Sequence, residues 1–152
     1  MKTVSAFLML IMLTLQLVSC GSAPDPVDML RDFTEAYSAE GIIYYSEARE
    51  GEIGYLDPET GGILFRELEQ MPDCYAILLN SRSDYGSECG VFVSRGSLEL
   101  EEISEMCERR MKLLRGGERS LLIRSESTVF YSTLPNPERV EKLWRDILRS
   151  HI

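Results

Sequence analysis

The stretch that decides the fold is CYAILL at residues 74–79, followed by CGVFV at residues 89–93. Short apolar runs of this length, rich in β-branched and aromatic residues and bounded by turn residues, are typical of buried strands. The interval of residues 81–87 is polar and contains Gly86, which predicts a loop. The second run is apolar at successive positions, so we expect it to lie at the centre of a sheet.

Amphipathic patterns follow these two strands. A long helix is predicted by an apolar stripe at helical spacing, formed by Leu100, Ile103, Cys107 and Leu114. Apolar runs at residues 120–123 and 129–131 then predict a hairpin. A final helix begins at Asn136-Pro137 and has the clearest apolar face of the chain, formed by Val140, Leu143, Trp144, Ile147 and Leu148.

Helix signals also precede residue 74. Asp25 followed by Pro26 predicts a helix start, and Gly41 is expected to end that helix in a left-handed conformation. Asp57-Pro58 indicates a second, shorter helix, whereas residues 42–45 are too few to assign. We therefore predict a single α+β domain over residues 26–152. It has an antiparallel four-stranded sheet in a β-β-α-β-β-α core, helices packed on one face, and one or two preceding helices.

The amino terminus has the layout of a secretory leader. Lys2 is followed by an apolar centre, and Thr14 and Gln16 interrupt the run before it reaches the about 20 apolar residues that a spanning helix needs. The leader ends at Leu17-Val18-Ser19-Cys20, and residues 21–25 form a short polar tether. Two processing routes are open, lipidation at Cys20 or ordinary cleavage near residues 21–23.

Leu17-Val18-Ser19-Cys20 resembles the lipobox of bacterial lipoproteins. That resemblance implies that residues 1–19 are a signal peptide cut just before Cys20. It also implies that the Cys20 thiol carries a diacylglyceryl group and that the new amino terminus is often acylated. Residues 20–25 would then be the lipidated cysteine and its tether.

A second resemblance covers roughly residues 53–148. The segments CGVFV at 89–93, MCERR at 106–110 and VFYS at 129–132 look like parts of an uncharacterised family of lipoproteins from clostridial Gram-positive bacteria. This resemblance supports the lipobox and the fold. It implies no activity and no catalytic residues.

The excess of acidic residues argues against some classes of binding partner. The chain contains 25 acidic and 16 basic residues, for a formal net charge of −9. Nucleic-acid binding depends on Lys and Arg neutralising phosphates, so the balance argues against nucleic acid as a partner. It also argues against electrostatic adhesion to anionic lipid. The membrane would be reached through the lipid on Cys20 alone.

Three cysteines remain beside Cys20, so at most one internal disulfide can form. A Cys74–Cys107 bridge is one hypothesis. The other is that Cys107 fills a helix core position as a small buried hydrophobe. Neither a Cys/His cluster nor a phosphate-binding glycine loop appears in the sequence, so we expect no metal and no cofactor.

Candidate ligand-binding residues are few. Arg110 lies on the edge of the apolar stripe, where an arginine needs a partner or an anion. Tyr44, Tyr45 and Tyr55 make the region before the sheet aromatic, either as a ligand groove or as cover for the sheet edge. His151 is the only histidine and is the penultimate residue, so Ser-His or Cys-His catalysis is not expected.

These observations predict a non-enzymatic interaction or accessory module. It would be a lipoprotein on the extracytoplasmic face of the cell membrane, with an unknown envelope protein as partner. The alternative is a small-ligand-binding accessory lipoprotein that uses Arg110 and the tyrosines. A third hypothesis is an envelope hydrolase that uses Asp or Glu.

Overall fold

The computed structural model describes residues 24–66, 72–80, 87–95, 100–114 and 119–151. The leader, Cys20, and residues 81–86 of the predicted loop at 81–87 lie outside the described residues. The helices and strands run in the order α1 Pro26–Tyr37, β1 Ile42–Tyr45, α2 Pro58–Leu64, β2 Tyr75–Leu79, β3 Glu88–Val93, α3 Leu100–Leu113, β4 Leu121–Arg124, β5 Thr128–Ser132 and α4 Pro137–His151.

The strands form one antiparallel sheet in the order β1-β2-β3-β5-β4. The α+β class and the β-β-α-β-β-α order from β2 to α4 are confirmed. The predicted count of four strands is wrong, because the described sheet has five. The additional strand is β1, in which Ile43 pairs with Leu78 of β2. β3 occupies the centre of the sheet, as its continuous apolar run predicted.

Helices cover both faces of the sheet, so the prediction of helices on one face is wrong. α1 and α4 pack on one face, against Ala76, Leu78, Cys89, Val91 and Phe130. α2 and α3 pack on the other, against Tyr75, Ile77, Phe92, Val129 and Tyr131. Alternate residues of a strand point to opposite faces. Because β2 and β3 are apolar at successive positions, each face needs its own apolar cover.

The core between α1, α4 and the sheet is built on aromatic rings. Trp144 is fully buried and stacks on Phe130 with ring centroids 4.1 Å apart. Phe33 of α1 meets both rings edge-on, at 5.2 Å from Phe130 and 6.2 Å from Trp144. Burying one such side chain contributes roughly 1.5–3 kcal/mol, so this cluster is a main source of stability on the face that α1 and α4 cover.

Capping residues define where the first helix begins and ends. The Asp25 side chain accepts a hydrogen bond from the Val27 amide at 2.8 Å, as its position before Pro26 predicted. The helix ends earlier than predicted, at Ser38 rather than Gly41, because Ser38 itself adopts the left-handed conformation with φ 64°. Arg139 of α4 donates to the exposed carbonyls of Ala36 and Tyr37, which complements the negative end of the helix dipole.

The first helix also gives the sheet two distinguishable ends. Asp25, at the start of α1, lies close enough to Cys74 to contribute to raising the pKa of that thiol, and Cys74 immediately precedes β2. Ser38, which follows α1, and Asn80, which follows β2, line the same cavity. α1 and β2 therefore run in the same direction. We call the end at Asp25 and Cys74 the tether end, and the end at Ser38 and Asn80 the far end.

Candidate functional site

Arg110, the residue that the sequence singled out, forms a buried ion pair with Glu88. Its Nε donates to Glu88 Oε1 at 2.7 Å and its Nη2 donates to Oε2 at 2.8 Å. The side chains are 18% and 5% exposed, respectively. Tyr131 donates its hydroxyl to Glu88 Oε1 at 2.7 Å. Glu88, Arg110 and Tyr131 form what we call the buried network.

Backbone pairing fixes the carboxylate of this network. Glu88 is the first residue of β3, and its amide donates to Thr133 Oγ1 at 3.0 Å. Its carbonyl accepts from the Thr133 amide at 2.9 Å. The Tyr131 ring lies over Gly90, where an added Cβ would come within 2.5 Å of the ring. The glycine therefore makes the space in which the tyrosine reaches Glu88.

The electrostatics of the network favour a fixed ion pair. Burial acts to lower the pKa of Arg110, but the hydrogen bonds and charge of Glu88 outweigh it, and the pKa is raised. Burial, followed by the charge of Glu88, raises the pKa of Tyr131 well above its usual value. Arg110 thus stays charged and Tyr131 stays protonated around neutral pH. The network therefore holds α3 against β3 and β5.

Arg110 does not present an open anion site in this arrangement. The gap beside it lies under α2 and α3, next to Phe65, Met106 and Tyr131, and it has no room for a water molecule. The anion that the guanidinium fork requires is supplied by Glu88. Sequence analysis missed Glu88; its signal is a carboxylate that directly precedes the apolar run at residues 89–93.

The three tyrosines are not brought together with Arg110. Tyr44 packs on the α2 and α3 face, whereas Tyr45, its neighbour in β1, packs on the α1 and α4 face. The Tyr45 amide donates to the Gly54 carbonyl at 3.0 Å, so residues after β1 fold back along the sheet edge. Tyr55 lies near Tyr75 and adds to the effect of burial in raising the pKa of Tyr75. None of Tyr44, Tyr45 and Tyr55 lines the gap beside Arg110.

Cys74, Cys89 and Cys107 are buried free thiols. The hypothesised Cys74–Cys107 disulfide is not formed in the structure. Cys89 lies on the α1 and α4 face and Cys107 on the α2 and α3 face. Burial raises the pKa of all three, and the charge of Glu88 contributes at Cys89 and Cys107. The thiols are therefore protonated around neutral pH, whereas nucleophilic cysteines need the thiolate.

His151 joins two helices. Its Nε2 lies 2.9 Å from Asp32 Oδ2, so the last residue of α4 is held to the middle of α1. Arg139 makes the corresponding connection at the other end of the pair. The histidine is thus accounted for by helix pairing.

A cavity of about 290 Å³ opens at the far end of the sheet. Among the described residues, its wall includes the end of α1 and the residues that follow β2, precede β3 and follow β5. Ser87 lies in this wall and is 6% exposed, and its hydroxyl oxygen has no hydrogen-bond partner among the residues that the structure describes. Sequence analysis did not find this cavity, because its residues come from four separate segments.

Comparison of the chain with protein-family models, with curated proteins and with solved structures gave no match. The resemblances to lipoproteins therefore stay predictions. Among the described residues, no group of three or more His, Cys, Asp or Glu side chains is arranged to hold a metal ion. No helix in the described part of the chain has the length and apolarity needed to cross a membrane.

Proposed function

We propose that this protein is a lipid-anchored, non-enzymatic accessory module on the extracytoplasmic face of the cell membrane. The observation that carries the proposal is Leu17-Val18-Ser19-Cys20 at the end of an apolar leader, only six positions before the first helix begins at Pro26. Two or more acyl chains anchor a protein stably, whereas one anchors it only marginally. A diacylated Cys20 is therefore a sufficient anchor.

The short tether sets where the module works. At about 3.5 Å per residue, the chain from Cys20 to Pro26 reaches roughly 20 Å at most. Because α1 begins at the tether end of the sheet, that end lies nearest the membrane and the far end points away from it. The net charge of −9 repels anionic lipid, so the lipid on Cys20 is the sole anchor in this proposal.

The state of the chemically capable side chains supports a non-enzymatic role. The buried carboxylate of Glu88 and the guanidinium of Arg110 satisfy each other, with Tyr131 as the third member of the network. The three described thiols are buried and protonated. His151 is engaged with Asp32.

Cys20→Ser in the native host tests the anchor. The wild type is expected in the membrane fraction and to take up labelled fatty acid, and Cys20→Ser is expected to lose both properties. Cys74→Ser is the matched control, because it makes the same chemical change at a buried thiol that the proposal does not lipidate. If Cys20→Ser stays in the membrane fraction and still takes up label, the anchor proposal is wrong.

Crosslinking of the lipidated protein in native membranes tests the accessory role. We expect one envelope protein to be recovered with the wild type and lost with Cys20→Ser, because the tether holds the module close to the bilayer. Equal recovery of that protein with Cys20→Ser would contradict a membrane-positioned role.

A further inference from the structure

We infer that the outer edge of β4 is a docking site for an extended polypeptide segment of an envelope partner, which adds to the sheet as a further strand. The inference rests on the proposed accessory role only for the location of the partner, because every residue that it uses lies in the described fold. β4 is one of the two edge strands, since the order of the strands is β1-β2-β3-β5-β4.

The two edges of the sheet differ in whether the chain itself covers them. At the β1 edge the chain folds back after the strand, and the Tyr45 amide donates to the Gly54 carbonyl at 3.0 Å. Gly54 also lies against Ile43, where an added Cβ would come within 2.7 Å of the Ile43 carbonyl oxygen. Along β4, no backbone hydrogen bond joins the outer side of the strand to another described residue. The open edge of the described sheet is therefore that of β4.

The hydrogen-bonding groups of this open edge belong to Leu122 and Arg124. The Ser125 amide donates to the Thr128 carbonyl at 2.9 Å, so Ser125 faces β5. Positions that bond to the neighbour alternate with positions that do not, so Ile123 also faces β5, whereas the backbone groups of Leu122 and Arg124 point away from it. A row of unpaired amides and carbonyls is a template for a second extended backbone.

The side chains of β4 favour such pairing. Edge strands are normally protected by charged side chains, proline or a bulge, and β4 has neither proline nor a bulge. Its one charged residue, Arg124, is paired with Glu101 at 2.7 Å. Leu122 is half-buried on the α2 and α3 face, while Leu121 and Ile123 lie on the α1 and α4 face. An added strand would therefore meet apolar side chains at three successive positions.

Charge and orientation identify the class of segment. The net charge of −9 favours a segment with Lys or Arg beside its apolar residues, and it repels a second copy of this chain. The strand pairing makes β4 run from the far end to the tether end. A second copy paired antiparallel would begin its tether beside the far end, about 18 Å further from the membrane by the 12-residue length of α1. That distance takes nearly the whole reach of the tether, so a partner protein is the occupant.

Two synthetic capped peptides, KTVIVTK and its acidic match ETVIVTE, test the inference. Each is added to full-length protein in detergent micelles, and exchange of backbone amides with water is followed by NMR. For a dissociation constant of about 1 mM, the basic peptide at about 5 mM should slow exchange of the Leu122 and Arg124 amides about sixfold. The Ile123 amide faces β5 and is the internal control. No slowing at Leu122 and Arg124, or equal slowing by the acidic peptide, would overturn the inference.

Variants at Leu122 separate backbone pairing from apolar adhesion. Leu122→Pro removes the outward amide and no hydrogen bond to β5, and proline is tolerated at such edge positions. We expect it to abolish the slowing at Arg124. Leu122→Val keeps the amide, loses one half-buried methylene and should bind the basic peptide about twofold more weakly than the wild type.

The fluorescence of Trp144 verifies that Leu122→Pro is folded; if it is not, the wild-type exchange measurement decides alone. Equal peptide binding by Leu122→Pro and Leu122→Val would overturn the inference. Slowing that depends on protein concentration without peptide would also overturn it, in favour of a second copy. Each of these outcomes is independent of the lipid anchor, which Cys20→Ser tests separately.

Discussion

Replacing Arg110 by Met leaves the Glu88 carboxylate buried without its counter-charge. The change removes two charge-assisted hydrogen bonds, at 2.7 and 2.8 Å, and keeps most of the aliphatic stem. Breaking a buried ion pair on one side costs about 3–5 kcal/mol. Because the Arg110 side chain is 18% exposed, we expect the lower end of that range, about 3 kcal/mol.

Arg145→Met is the matched control. Arg145 reaches Glu141 with the same two nitrogens, Nε at 3.0 Å and Nη2 at 2.7 Å, but the two side chains are 55% and 42% exposed. Exposed pairs of this kind contribute about 0–1 kcal/mol. The two ion pairs use the same arginine nitrogens and differ mainly in burial. The difference in unfolding free energy between the two variants therefore measures the effect of burial.

Urea unfolding followed by tryptophan fluorescence measures both variants. Trp144 is the only tryptophan and is fully buried on Phe130, so its emission reports loss of the core. The double variant Glu88→Gln/Arg110→Met buries no charge and keeps an acceptor for Tyr131, so it should be more stable than Arg110→Met alone. If Arg110→Met costs within about 1 kcal/mol of Arg145→Met, the pair does not stabilise the fold as argued.

Three further changes have defined outcomes in the same unfolding assay. Gly90→Ala places a Cβ 2.5 Å from the Tyr131 ring and should lower the free energy of unfolding by about 1–3 kcal/mol. In Gly62→Ala the added Cβ meets nothing within 4 Å, so this variant should raise the free energy of unfolding by about 1 kcal/mol through the helix propensity of α2. Equal effects of the two variants would contradict the packing around Gly90. Burial raises the folded pKa of Tyr131 and Cys107, so the stability that these two groups contribute is fully present below their unfolded pKa values of 10.0 and 9.0. As pH rises above those values, the free energy of unfolding should fall by about 1.4 kcal/mol per pH unit and group. An unchanged urea midpoint from about pH 8 to 10.5 would refute this. Ser38→Gly should stabilise the protein by about 0.5–1 kcal/mol, because Ser38 has φ 64° and glycine adopts this left-handed conformation without steric cost. A loss of stability in this variant would contradict the left-handed cap.

Local patterns predicted most of the secondary structure. Strands β2 to β5 follow short apolar runs, and Asp25 caps α1 where the sequence placed the helix start. β1 was not assigned, because four residues carry too little periodicity; pairing with β2 defines it. The two helical layers were also missed. The run at residues 74–79 is apolar at successive positions, a pattern that indicates a strand covered by helices on both faces.

The sites depend on tertiary pairing. Sequence analysis placed Arg110 at the edge of a buried stripe and required a partner for it, which the structure supplies. The sequence does not indicate which of the 25 acidic residues is that partner. Glu88 lies 22 positions from Arg110 in the sequence, and the order of the strands brings the two together. The far-end cavity depends on four chain segments that meet only in the folded sheet.

The three buried thiols can report how often the fold opens. At the extracytoplasmic location that we propose, the surroundings would be oxidising, yet Cys74, Cys89 and Cys107 are buried as long as the fold is closed. Alkylation therefore proceeds only through opened states, and its rate measures how often they occur. Cys89 and Cys107 lie on opposite faces of the sheet, so their separate labelling rates distinguish detachment of one helical layer from complete unfolding.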